Sequence, residues 1–323
     1  MKTYRVTELG KHPSLIDLSA LPLQKGFARI DIRACGLNFA DLLMSKGTYQ
    51  DTPEVPFSLG MEPAGIVTEL GPDTEAPALG ARVVVFSGRD GLADEGVFPA
   101  DRCLPIPDNM SFEDAAAFQI AYGTSHVALD YKAQLKPGET LLVLGAAGGV
   151  GLTAVEIGKV MGARVIACAR GAEKLEICKR AGADHVIDST TEDIRSVVKS
   201  LGGADVVYDA VGGEQGEAAF RATNPDGRFL YIGFASGDMP KLKPNHMLVK
   251  NITAIGLYWG GYLRFKPEVL TDSLRVLLDW YADGKIKPHV SHSLPLEQAD
   301  QALELLRSRK STGKVVVTME PNA

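Results

Sequence analysis

The 323-residue chain predicts an α/β fold, with a β-rich first third followed by a doubly wound parallel sheet. Three observations predict it. From Thr140 to Leu257, short Val/Ile/Leu-rich strands alternate with helices, the pattern of a parallel sheet covered on both faces. One of those strands runs straight into a glycine-rich turn that opens a helix. Before Ser111 the texture differs, with short alternating runs punctuated by Gly and Pro at Gly71-Pro72, Pro77 and Gly80. The length implies two domains rather than one core.

In chain order, Phe27 to Arg33 alternates as a strand does, and Ala64 to Leu70 and Arg82 to Phe86 follow as strands, with a short helix over Asn38 to Lys46 between the first two. Ser111 has the N-cap residue type for a helix, with Asp114 three residues on, and an Ala-rich segment continues to about Lys132. Strands are then predicted at 140–144, 164–169, 185–187, 204–208, 228–233 and 252–257. The intervening helices are predicted at 150–161, 172–181, 192–200 and 216–222. Beyond Tyr262 the spacing of apolar residues predicts helices over 267–282 and 296–307, and Lys314 to Thr318 reads as a closing strand. His289 and His292 beside Pro288 read as an exposed connection.

Composition excludes several classes. The net charge of -6 and the lack of any basic run argue against nucleic acid as a partner. No stretch approaches the ~18 apolar residues of a membrane span. Cys35, Cys103, Cys168 and Cys178 are scattered without a C-x-x-C, which suits a reduced compartment, so a cytoplasmic protein without a membrane partner is expected.

The chemistry is read from Leu141-Leu142-Val143-Leu144-Gly145-Ala146-Ala147-Gly148-Gly149-Val150-Gly151. Gly145 permits a tight bend, Gly148 lets backbone approach a pyrophosphate, and Gly151 lets the helix pack close to the strand. Ala147 stands at the usual second glycine. The N–H groups of Gly149 and Val150 and the positive dipole end of the helix predicted from Val150 then face the phosphates of a dinucleotide. The strand that follows ends Cys168-Ala169-Arg170, without the acid an NAD site would use on its ribose, and Lys174 lies four residues on. A neutral residue followed by cations suits a 2′-phosphate, so NADPH is expected.

Other segments carry a resemblance: Cys35-Gly36-Leu37-Asn38-Phe39-Ala40-Asp41, Gly60-Met61-Glu62-Pro63-Ala64-Gly65, Ala121-Tyr122-Gly123-Thr124, and Asp205-Val206-Val207-Tyr208-Asp209-Ala210-Val211-Gly212-Gly213. In this order, with the glycine turn, they resemble the zinc-independent quinone oxidoreductases of the zeta-crystallin type in the medium-chain dehydrogenase/reductase superfamily. The resemblance implies a GroES-like β-barrel domain over 1–118 and 262–323, a Rossmann NADPH-binding domain over 119–261, and an active site in the cleft between them. It places Asn38 and Met61 where zinc alcohol dehydrogenases carry Cys and His ligands. Neither is a normal Zn²⁺ ligand, Gln119 near the third position is no ligand either, and the four-Cys lobe is absent, so no metal is expected.

The resemblance further implies that Asn38 and Tyr49 assist the acceptor oxygen and that Thr124 lies near the nicotinamide. Val211, Gly212, Phe234, Ser236, Tyr258 and Trp259 would lie at the cofactor, and Arg309, in an Arg-x-x-x-Gly segment, near the 2′-phosphate. Ser189 replaces a tyrosine that some members use at the adenosine end. His126 and Cys35 read as structural. A homodimer through the edge strand at 252–257 is expected. The predicted reaction is hydride transfer from NADPH to a quinone or similar conjugated carbonyl, which needs no Lewis acid. Two alternatives remain open at this stage: a reductase of enone or enoyl-thioester C=C bonds on the same fold, and a crystallin-like protein that binds NADPH without turnover.

Overall fold

The computed structural model describes residues 1–320. The chain divides into two compact units, one formed by Met1–Ile120 with the residues from Lys287 onward, the other by Ala121–Ile286. In chain order the first stretch carries β1 (Lys2–Val6), β2 (Ser14–Asp17), β3 (Phe27–Gly36), α1 (Phe39–Lys46), β4 (Phe57–Ser58), β5 (Glu62–Leu70), β6 (Arg82–Val85), β7 (Glu95–Pro99), β8 (Cys103–Pro105) and α2 (Phe112–Ala116). Then come α3 (Gln119–His126), a π-helical turn (Val127–Lys132), β9 (Thr140–Leu144), α4 (Gly149–Val160), β10 (Arg164–Ala169), α5 (Ala172–Arg180), β11 (His185–Asp188) and α6 (Ile194–Ser200). They are followed by β12 (Ala204–Asp209), α7 (Gly213–Ala222), β13 (Thr223–Tyr231), α8 (Pro244–Lys250), β14 (Thr253–Gly256), α9 (Tyr262–Phe265) and α10 (Glu268–Ala282). The chain closes with β15 (Val290–Pro295), α11 (Ala299–Arg307) and β16 (Lys314–Thr318).

The first unit is organised on β3, whose alternation buries Ala28, Ile30 and Ile32. β3 pairs with β5, β7 and β16, inside a sheet ordered β15-β16-β3-β5-β6-β8. A smaller sheet, β2-β1-β4, lies in the same unit. Ser111 caps α2 as the sequence predicts, its Oγ accepting from Asp114 N at 3.0 Å. The register sets three polar residues side by side. Gly36 lies opposite both Glu62 and Val316, and Leu37 N donates to Val315 O at 2.9 Å. Asn38, Glu62 and Lys314, far apart in sequence, thus converge at one end of β3.

The second unit is a six-stranded parallel sheet ordered β11-β10-β9-β12-β13-β14. Counted from β9, this is the 3-2-1-4-5-6 order of dinucleotide-binding sheets, whose ligands sit beyond the carboxyl ends of the strands where the order reverses. Here that switch point lies between β9 and β12. Leu142, Leu144, Ile166, Val207 and Phe229 form the dry interior beneath it.

Four sequence expectations need correction. The first unit resumes at 287 rather than 262. The amphipathic helix α10 turns Val269, Leu270, Leu274, Leu277 and Tyr281 into its own unit, where Ser273 meets His126 and Trp280 lies edge-on to the His126 ring. The His289–His292 segment is not a loose connection, because Val290–Pro295 pairs in parallel with β16. The Ala-rich segment before Lys132 is not one helix but α2, α3 and the π turn. The helix expected from Leu296 begins with a 3-10 turn and is α-helical from Ala299. No described helix is long and apolar enough to cross a membrane.

Candidate active site

The glycine turn is built as the sequence requires. β9 ends at Leu144, and Gly145 bends the chain at φ 67, a left-handed conformation that L side chains rarely adopt. A Cβ on Gly151 would stand 2.2 Å from Gly145 O, so only glycine lets α4 approach the turn this closely. Gly148 takes the N-cap position in an extended conformation, and no side chain caps the helix. Its first-turn N–H groups therefore face outward without a side-chain acceptor. This is the donor set a pyrophosphate needs. Gly148 is exposed, Gly149 and Val150 are half-buried, and Ala147 is buried.

The other side of the switch point is formed after β12. Asp209 is buried there, and its Oδ1 accepts from Val211 N at 2.9 Å and Gly212 N at 2.8 Å. Burial raises its pKa, against the two backbone donors that lower it. The turn it shapes lies against the glycine turn: a Cβ on Gly145 would touch Val211 Cγ2 at 2.9 Å. Ser236 Oγ donates to Val211 O at 2.7 Å, and Phe234 stands beside Gly212, partly exposed. Gly145, Val211, Gly212, Phe234 and Ser236 are thus brought together. Asp209, which fixes two of them, was not singled out by sequence reasoning, although an acid followed by Ala-Val-Gly-Gly is a turn-capping pattern.

Thr124 lies on α3, nearly buried. Its neighbour Ser125 ties that helix to the glycine turn: Ser125 Oγ donates to Val150 O at 2.8 Å and shares hydrogen bonds with Thr153 Oγ1 and Tyr208 Oη. Trp259 is buried against Gly123, where an added Cβ would come within 2.8 Å of the indole. This makes Trp259 the support behind α3, a packing role that the expected cofactor contact did not foresee, while Tyr258 is half-buried beside it. His126 is buried, bonded to Ser273 at 2.9 Å, and burial lowers its pKa, consistent with the structural role expected for it.

At the adenosine end, Arg170 follows β10 and is exposed, and Lys174 is half-buried on α5. Asp188, at the end of β11, accepts from Thr190 Oγ1 at 2.7 Å, Thr190 N at 3.0 Å and Gly171 N at 3.2 Å. The hydroxyl and amide of Thr190 hold its carboxyl below the usual range. A fixed anion thus stands beside Gly171, a feature the sequence reading did not weigh.

Asn38, Tyr49 and Arg309 belong to the first unit. Arg309 is exposed, in a left-handed conformation with φ 56. Tyr49 is half-buried against the apolar core. Asn38 sits in a polar cluster. Lys314 Nζ donates to Asn38 Oδ1 at 2.9 Å and to Glu62 Oε1 at 2.5 Å. Asn38 Nδ2 donates to the same Glu62 oxygen at 2.9 Å, and Ile120 N donates to Glu62 Oε2 at 2.8 Å. The Glu62 and Lys314 side chains are 0% and 5% exposed. Beside them Asp41, wholly buried, accepts from Asn38 N at 2.8 Å and Gly60 N at 2.9 Å. Burial pushes its pKa up to about 6 despite those two donors and nearby Lys314. Sequence reasoning singled out Asn38, quoted Asp41 and Glu62 only within motifs, and missed Lys314, which read only as the start of a strand.

Among the described residues no group of three or more His, Cys, Asp and Glu lies together as a metal site, and Met61 is buried in the apolar core. The Cys35 thiol is buried, and burial raises its pKa far above the ordinary thiol range, which keeps it from acting as a thiolate.

Residues 24–108 match the family model described as alcohol dehydrogenase GroES-like domain, and residues 149–276 match that described as zinc-binding dehydrogenase. The chain is 40% identical to a quinone oxidoreductase-like protein 2 homolog of Nematostella vectensis, over 98% of this chain and 89% of that one. The quinone oxidoreductase of Thermus thermophilus, whose structures include a complex with NADPH, superposes with a TM-score of 0.88 at 32% identity, covering 98% of this chain and 100% of the other. The Escherichia coli quinone oxidoreductase complexed with NADPH gives a TM-score of 0.90 at 28% identity, again over 98% and 100%.

Proposed function

The chain belongs to the quinone oxidoreductase family of the medium-chain dehydrogenase/reductase superfamily, and from that premise we propose that it reduces a quinone or similar conjugated carbonyl with NADPH, without zinc. One observation carries the proposal: the chain holds both an uncapped helix terminus at a glycine turn and a buried polar cluster that contains the Lys314 ammonium.

A bound NADPH would supply two electrons and one hydrogen, delivered as hydride from its nicotinamide ring to the acceptor. The residues do the rest. The N–H groups from Gly149 onward bind the pyrophosphate, and Val211, Gly212 and Ser236 line the neighbouring wall. Arg170 and Lys174 favour a 2′-phosphate over a free ribose hydroxyl. Thr124, held by the Ser125 network, orients the nicotinamide. Asn38 donates its second amide hydrogen, which has no partner among the described residues, to the acceptor oxygen as negative charge develops there. Tyr49 assists that oxygen. Hydride plus one proton converts both carbonyls of a quinone into the two hydroxyls of the hydroquinone, so atoms and charge balance when that one proton is taken from water or an acidic side chain.

Zinc independence follows from electrostatics. A divalent ion in this cluster would have to displace or face the Lys314 ammonium. Reduction of an isolated ketone, which needs a Lewis acid, is accordingly disfavoured against an acceptor that delocalises the incoming charge. The chain is further proposed to form a homodimer along β14. That strand is bonded on one side only, and α8 next to it buries no residue and exposes Leu248 and Val249. The test is NADPH oxidation followed at 340 nm with 1,4-naphthoquinone, with 2-cyclohexen-1-one and with cyclohexanone. Turnover with the quinone above the other two is expected. Preference for cyclohexanone, or stoichiometric zinc by mass spectrometry, would overturn the reading.

A further inference from the structure

We propose that Lys314 is a positioning residue for the acceptor: paired with Glu62, it clamps the Asn38 carboxamide in the one orientation that presents its free N–H to the substrate oxygen. The proposal rests on the reading that Asn38 donates to that oxygen, and it accounts for a buried ion pair that hydride transfer itself does not use.

The geometry permits only one rotamer sense. Asn38 Oδ1 faces the ammonium at 2.9 Å, and Nδ2 faces the Glu62 carboxylate at 2.9 Å. Turning the amide over would set its NH2 against an ammonium and its oxygen against a carboxylate, two repulsive contacts in a buried site. The backbone is fixed as well, because Asn38 N is held by Asp41 and Leu37 N by Val315 O. With one amide hydrogen on Glu62 and the carbonyl on Lys314, a single N–H remains, and its direction is set by the other two bonds. Accepting from a cation also polarises the amide, so the remaining N–H becomes a stronger donor.

Stability does not explain the arrangement. Two charges withdrawn from water lose several kcal/mol each in hydration, and well-packed apolar replacements often match or exceed the stability of such pairs. The pair is spanned by Asn38, one of the two side chains that the family resemblance places at the acceptor oxygen. Glu62 is saturated by donors from Lys314, Asn38 and Ile120, so its charge is satisfied locally. Lys314 acts on the acceptor only through Asn38, and its effect is on orientation and donor strength rather than on direct contact.

The test compares Asn38→Ala, Lys314→Met, and the double variant Lys314→Met/Glu62→Gln, which removes both members of the buried ion pair together if the single variant fails to fold. Steady-state rates use NADPH and 1,4-naphthoquinone. In the folded double variant, kcat is expected to fall about tenfold or more, short of the roughly 10²–10³ lost when a preorganised transition-state donor is removed outright, while KM for NADPH stays within about twofold. Adding the double variant to Asn38→Ala should deepen the loss little, since both act through one amide. An independent readout is the pair of side-chain amide proton resonances of Asn38 in selectively 15N-Asn-labelled protein, assigned by their absence in Asn38→Ala. Their separation should collapse in the double variant. Losses that multiply, or Asn38 resonances that do not move, overturn the role of Lys314 alone. Unchanged kcat in Asn38→Ala instead overturns the reading of Asn38 on which it rests.

Discussion

Asp41 gives the sharpest quantitative test of the first-unit cluster. Its carboxyl is wholly buried, and burial lifts its pKa to about 6 from an ordinary 3.8. The sign follows from linkage. Between those two values the folded chain keeps a proton that the unfolded chain has released, so folding is progressively disfavoured as pH rises through the window. A shift of roughly two units corresponds to about 3 kcal/mol once both states are deprotonated. About half of that, ~1.4 kcal/mol, should appear between pH 5 and pH 8, because the unfolded state is already mostly ionised at pH 5. Asp41→Asn removes the titration. It leaves Asn38 N and Gly60 N with only one carbonyl oxygen between them, so the variant carries a roughly constant penalty of about 1 to 3 kcal/mol for the unsatisfied donor. The measurement is the urea midpoint and slope of wild type and variant across that pH range. The stability difference between them should narrow, or reverse, toward pH 8. If the two curves stay parallel, the buried carboxyl does not titrate as argued.

Two further outcomes follow from the dinucleotide cradle. Gly151→Ala sets a Cβ 2.2 Å from Gly145 O, more than an ångström inside ordinary contact, so α4 must retreat from the turn. Over-packing of that kind costs about 1 to 3 kcal/mol, and NADPH binding followed by fluorescence titration should weaken by about tenfold or more; binding within twofold of wild type would count against the cradle. Arg170→Ala/Lys174→Ala should weaken NADPH binding several-fold while leaving NADH nearly unchanged. An equal loss for both cofactors would mean that these cations do not read the 2′-phosphate.

Much of this fold could be read from the sequence because its signals are local. Strand–helix alternation and the glycine spacing lie within about thirty residues of one another, and they gave the parallel sheet, its strands and the turn at Gly145–Gly151. The less legible parts depend on distant pairing. β1, β2, β7 and β8 are short and take their places through partners elsewhere in the chain. β15 looked like a loop because Ser291, His292 and Ser293 lack an apolar rhythm, and only its pairing with β16 makes it a strand. The helix α10 was assigned to the wrong unit because periodicity shows which face is apolar, not what that face meets.

The same distinction holds for the site. Residues of the glycine turn have roles fixed by their own neighbours, so spacing found them. Lys314 has a role fixed by residues some 252 and 276 positions away, and no spacing rule reaches so far. Its sequence context, a lysine leading into Val-Val-Val, reads as a solvated strand end. What made it legible was the register of three strands, which sets Glu62 and Val316 on either side of Gly36.

The ammonium also bears on which acceptors the proposed chemistry admits. A Lewis acid bound directly to a carbonyl oxygen lowers the barrier for an isolated ketone by several kcal/mol. A lysine that reaches the substrate only through an intervening amide offers one strengthened hydrogen bond, typically worth about 3 to 4 kcal/mol at the transition state when the donor is preorganised. The difference must come from the substrate. A quinone supplies it, because the incoming electron pair spreads over two oxygens and the ring gains aromaticity. An enone supplies less, and a simple ketone none. The proposed order of acceptors is therefore an electrostatic consequence of what stands at the end of β3. Replacing Lys314 should steepen that order rather than merely lower every rate, since the poorest acceptors depend most on the donated hydrogen bond. Ratios of kcat/KM for 1,4-naphthoquinone over 2-cyclohexen-1-one, measured in wild type and in Lys314→Met/Glu62→Gln, should rise in the variant. A ratio that stays constant would mean that the cluster supports the fold without grading the acceptors.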